Sequence, residues 1–208
     1  MNTAVSPSRR IAVAFFLSGA AALIYQVVWQ RLLFVVVGVD IESVTIVVST
    51  FMAGLGLGAL LGGWLADALP AQVLRLFCAA EALIGLFGWF SADLILGLGE
   101  TFAGLSRPAA AGLSFGLLLL PTMAMGATLP MLVAESFRRS RNIGVSTGTL
   151  YVINTAGAAL GAAAVGLVLL YWLDLRQTVQ LAALLNLGAS AVVASAMRPR
   201  DGAAVRAG

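Results

Sequence analysis

Six apolar stretches account for most of this chain, spanning 11–37, 41–66, 72–98, 108–134, 144–173 and 177–197. Each is at least as long as the roughly 20 residues needed to cross the hydrocarbon layer of a bilayer. The breaks between them are short and carry turn residues or charge: Gly38-Val39-Asp40, Asp67-Ala68-Leu69-Pro70, 97–107, 137–142 and Asp174-Leu175-Arg176. Short connections force successive helices to run antiparallel. The pattern predicts an all-α fold, a polytopic membrane bundle of six transmembrane helices occupying 11–197. Short tails over 1–10 and 198–208 complete the chain.

Composition agrees with that reading. Of the 208 residues, 61% are hydrophobic and 10% charged, and the mean hydropathy is +1.00. A soluble domain carries about 25% charged residues and avoids apolar patches as large as these would be. The basic residues are all arginine, and histidine is absent, so imidazole ligation and histidine acid–base chemistry are excluded for this chain alone. Cys78 cannot form an internal disulfide and reads first as a small buried hydrophobe. No metal spacing, phosphate-cradling loop or catalytic triad is present. The glycine run of the second stretch follows no strand and is not a dinucleotide fingerprint. No cofactor or metal is expected, and no nucleic acid; the expected partners are the lipid bilayer and other copies or subunits of a homo-oligomeric or hetero-oligomeric membrane complex.

Arginine placement sets the expected orientation. With the N-terminus inside, the inner face holds Arg9, Arg10, Arg75, Arg138, Arg139, Arg141, Arg198, Arg200 and Arg206, and the outer loops hold Arg107 and Arg176. This positive-inside bias predicts both termini in the cytoplasm, in a bacterial inner membrane. Ser8-Arg9-Arg10 and the following apolar run look like a signal peptide. The run continues to Val37, however, and cleavage would remove half a helix.

Ionisable groups inside hydrocarbon are costly and are functional candidates by default. Glu81 lies about 12 Å below the inner surface at 1.5 Å per residue, at a depth similar to Asn154 and Thr128. Tyr151 sits one turn closer to the cytoplasm. The four form a candidate buried polar layer, with Glu81 either a proton carrier or a hydrogen-bonded packing residue. Gln26, Gln30, Arg31 and Asp93 form a candidate outer-leaflet cluster, in which an Arg31–Asp93 pair is either a structural bridge or part of a substrate site. Asn186 reads as interhelical glue. Gly54, Gly58 and Gly62, and likewise Gly157 and Gly161, fall at four-residue spacing on one helix face, suited to tight packing within the bundle or to a partner subunit. Asp67 and Arg75 flank the cytoplasmic loop after helix two, as a lock between two helix ends or as ordinary anchors. Pro121 and Pro130 are expected to interrupt the fourth helix, as a static bend or as the broken helix of a transport site.

Taken together, Ser18 to Leu33, the helix-two run through Gly63, Met125-Gly126-Ala127-Thr128-Leu129-Pro130 and Leu150 to Gly161 resemble one family over nearly the whole chain. It is the membrane domain of bacterial spermidine synthase-like proteins, also described as fused major-facilitator/spermidine synthase proteins. The stretch from Gly63 to Arg75 and the glycine-rich fifth helix are similar to the corresponding parts of major facilitator transporters. The resemblance implies a six-helix half of that fold. Relatives commonly carry a soluble aminopropyltransferase-like domain after the membrane domain, which these 208 residues do not contain, so polyamine synthesis is not expected of this chain. Relatives also often have glutamate where this chain has Gln26. The expected function is a noncatalytic membrane module, a scaffold or accessory subunit for a partner. The alternatives are a transporter of a small, polyamine-like molecule assembled from two six-helix copies, and a membrane-embedded enzyme.

Overall fold

The computed structural model describes residues 8–197, and all side chains there except those of Asp40 and Arg139. Arg198, Arg200 and Arg206 therefore lie outside the described residues. The chain forms α1 (Arg9–Val37), α2 (Asp40–Ala68), α3 (Val73–Gly97), a five-residue α4 (Gly99–Ala103), α5 (Arg107–Ser140), α6 (Ile143–Ala164), a π-helical segment (Val165–Leu169) running into α7 (Leu170–Trp172), and α8 (Leu175–Met197). Six of these spans are long and apolar enough to cross a membrane.

Helix ends follow local chemistry. Gly38, with φ of 79°, closes α1 in the left-handed region, where a side chain would be strained. Asp174 and Gln177 cap α8 reciprocally. The Asp174 carboxylate accepts from the Gln177 backbone N–H at 2.7 Å, and the Gln177 side-chain oxygen accepts from the Asp174 N–H at 3.2 Å. Two expectations are corrected here. The arginine-bearing segment 137–142 is not a loop from its start, because α5 continues to Ser140. Of the two readings of Pro121 and Pro130, the broken helix is not found, since both lie inside continuous α5. Next to Pro121, the Thr122 hydroxyl donates to the carbonyls of Leu118 (2.8 Å) and Leu119 (2.9 Å). These contacts keep the hydroxyl paired within its own helix; the carbonyl that Pro121 leaves without a backbone donor is that of Leu117, four residues back.

The main pairings are α2 with α5, α1 with α6, α3 with α8, and α1 with α8. Weaker pairings join α3 with α5, α1 with α2, and α5 with α6. This scheme maps onto itself when α1, α2 and α3 are exchanged for α5, α6 and α8. The symmetry reaches the sequence: from Thr50 in α2 and Thr149 in α6, the two helices stay in step through Gly58-Ala59 and Gly157-Ala158 to Leu61-Gly62 and Leu160-Gly161. A Cβ added at Gly58 would meet the Met123 carbonyl of α5, and one at Gly157 the Phe16 carbonyl of α1. Gly54 and Gly62 likewise close on Thr122 and Ala127, and Gly161 on Ala20. Both glycine faces are therefore consumed inside the bundle, and as partner surfaces they are ruled out by the backbones already lying against them.

Apolar side chains gather in two clusters stacked along the bundle. One surrounds Trp29 with Tyr25, Phe51, Ile84 and Leu118; the other contains Phe15, Phe77, Leu132 and Leu150. Trp29 stacks on Tyr25 at 4.8 Å, meets Phe87 edge-on at 5.7 Å, and donates its indole N–H to the Ser91 hydroxyl at 2.9 Å.

Candidate functional site

Between the two apolar clusters runs one polar level, built where α1, α3 and α8 meet. Glu81 of α3 is fully buried, and its Oε2 accepts from the Asn186 amide of α8 at 2.6 Å. Ser18 of α1, also buried, lies beside the same carboxyl. One turn towards the start of α3, the Cys78 thiol approaches the Ser190 carbonyl at 3.5 Å, and the Ser190 hydroxyl donates to the Cys78 carbonyl at 3.0 Å. Three buried oxygens nearby have no hydrogen-bond partner among the described residues: Glu81 Oε1, Asn186 Oδ1 and the Tyr25 hydroxyl. The last is tucked into the notch left by Gly88, where a Cβ would strike it.

This is not the layer expected from depth alone. Thr128 is buried, but its hydroxyl turns back to the Met125 carbonyl at 2.7 Å. Tyr151 is 59% exposed on the outside of α6. Asn154 lies against Gly19, on the α6 side of α1, whereas the neighbouring Ser18 faces Glu81. Successive helix residues point about 100° apart, so α1 stands between Asn154 and Glu81 although their depths agree. Depth could be counted from the sequence; which side of α1 each helix occupies could not.

The outer-leaflet cluster also divides. Asp93 pairs with Arg176 at the start of α8, and Arg31 is exposed elsewhere on α1. The expected Arg31–Asp93 bridge is therefore replaced by one from α3 to α8, as the extensive packing of those two helices requires. A second ion pair, Arg107 to Glu42 at 3.5 Å, joins α5 to α2. Gln26 and Gln30 do stay together. With Leu23, Val27, Val44, Val47 and Val48 they line a crevice of about 250 Å³ between α1 and α2.

At the opposite end, Asp67 and Arg75 are both exposed, and no ion pair joins them among the described residues. The lock comes from Arg138 of α5. It donates to the Pro70 carbonyl in the α2–α3 turn and pairs with Glu135 at 3.2 Å. Asp67 and Arg75 line two shallow recesses on either side of that contact.

No family model matches this chain, and no solved structure does. The chain is similar to a protein of Corynebacterium efficiens described as a polyamine aminopropyltransferase, 31% identical over 193 residues. The match covers 87% of this chain and 34% of that protein. The chain thus spans about a third of the length of the curated relative it matches.

Proposed function

We propose that this chain is an integral membrane module, a six-helix half of a major-facilitator-like fold with both ends of the bundle's chain on the cytoplasmic side. In this reading it serves as scaffold or accessory subunit to an aminopropyltransferase-like partner and does no chemistry itself. One observation carries the reading: Glu81, the one fully buried carboxyl among the described acidic side chains, is closed between two apolar clusters and bonded to Asn186. A carboxyl that served a moving substrate or a reaction would need a path to it. The likeness to a third of an aminopropyltransferase supplies the chemistry of the expected partner. Gentle extraction followed by native mass measurement tests it. A stoichiometric complex with a soluble aminopropyltransferase is expected, and a chain that is monomeric and alone under every mild extraction would sink the reading.

A second reading has its own support. The exchange symmetry of the helix pairings is that of an inverted three-plus-three repeat, an arrangement on which many secondary transporters are built. Two copies would then assemble a transporter. Flux of a small solute through proteoliposomes holding only this protein, with a homodimer as its native mass, would favour this reading over the first.

A further inference from the structure

The Gln26–Gln30 crevice has a composition that neither lipid tails nor water satisfies. Leu23, Gln26, Val27 and Gln30 form one stripe of α1, and Val44, Val47 and Val48 one stripe of α2. Gln26 stands three residues past the midpoint of α1, hence about 5 Å from it. In a spanning helix that places it near the middle of the hydrocarbon layer. Its amide makes no hydrogen bond to any described residue. An amide left unmet in an apolar medium costs about 2–7 kcal/mol, and a hydrocarbon chain offers it nothing.

Other occupants fit less well. No carboxylate or arginine lines the crevice, so a polyamine or other ion would find no countercharge there. Five of the seven lining residues are aliphatic, and ordered water needs two to four polar partners each. The carboxamides both donate and accept, so they can bind a hydroxyl or a carbonyl.

We infer that the α1–α2 crevice is a lateral binding site for a neutral amphiphile, its hydroxyl or carbonyl head held by Gln26 and Gln30 and its aliphatic body against the valines. This rests on the membrane placement proposed above, and the experiment separates the two. The full chain in nanodiscs is photolabelled with a dodecanol carrying a diazirine, and in parallel with the matching diazirine alkane. The alkanol is expected to label 23–30 and 44–48 about five- to thirtyfold more than the alkane does, as one to two hydrogen bonds of about 1 kcal/mol each predict. Gln26→Leu with Gln30→Leu should bring that ratio to about one without loss of folded protein, because both changes make the helix more apolar. Equal labelling by the two probes overturns the site. So does quantitative disulfide dimerisation of Gln26→Cys in a Cys78→Ala background, because a second copy would then fill the crevice. Failure of the alkane to label the outward residues Leu60, Leu86 and Leu167 would instead overturn the membrane placement and the site with it.

Discussion

Replacing Asn186 by leucine removes the amide that faces Glu81 while keeping the branched outline and heavy-atom count of the side chain. Glu81 is fully buried and Asn186 is 1% exposed, so neither can recover its lost bond from solvent. Interhelical hydrogen bonds within membranes average only about 0.6 kcal/mol by double-mutant cycles, because the unfolded helices find other partners. A buried polar atom stranded by loss of its mate costs about 1–3 kcal/mol, and a stranded charge about 3–5 kcal/mol. Asn186→Leu is therefore expected to destabilise by about 1–3 kcal/mol if the carboxyl is neutral, and by more if it is ionised. Glu81→Leu should strand Asn186 at a similar cost. The double variant should cost much less than the sum, because removing both partners strands neither. Glu81→Gln keeps an acceptor for the amide and is expected to stay within about 1 kcal/mol of the parent. Reversible unfolding in mixed micelles, followed by far-UV circular dichroism against denaturing detergent, measures all four. Additive single variants, or an Asn186→Leu protein as stable as the parent, would refute the idea that this level is a coupled pair.

Gly58→Leu places a side chain on the Met123 carbonyl, whereas Gly56 has open space around it; the first should abolish monodisperse extraction and Gly56→Leu should not. Overpacking against a side chain costs about 1–3 kcal/mol, and a backbone atom yields less readily, so the lower end of that range at Gly58 would contradict the packing described. In a Cys78→Ala background, Ser140→Cys should react with an impermeant thiol reagent only after the membrane is opened, and Glu100→Cys in intact cells; the reverse pattern would invert the orientation. Arg138→Ala should raise the rate of proteolysis within 69–72 by freeing the Pro70 carbonyl, with a stability change within about 1 kcal/mol. Arg75→Ala should leave that rate unchanged, and equal effects from the two would show that the turn is held in some other way.

Spans and turns were legible in the sequence because each rests on a local quantity. Length and hydropathy mark the six long helices, and Gly38 and Asp174 mark their ends by conformational and capping chemistry that needs no distant partner. Contacts between helices were less accessible. The four-residue glycine spacing identified close approach, yet not that α5 and α1 occupy those faces. Glu81 was singled out by the cost of its charge and Asn186 by its amide. Their pairing depends on α8 crossing α3 at that height, which no periodicity reports. Arg138 reads in the sequence as one more arginine of a basic loop. A longer α5 carries it to the Pro70 carbonyl. Gln26 and Gln30 were found together because one helical turn separates them, so their shared face follows from α1 alone.

The distance in sequence between the members of the polar pair has a consequence for biosynthesis. Glu81 and Asn186 are 105 residues apart, about 5–20 s of translation at 5–20 residues per second. The principal pairings likewise join the first three long helices to the last three. In the membrane placement proposed above, a newly inserted α1–α3 array would thus wait for its mates, with an unpartnered carboxyl in α3 and bare glycine grooves in α2. An insertase or chaperone that shelters the early helices would act during that interval, and slowing elongation between codons 97 and 175 should lengthen it.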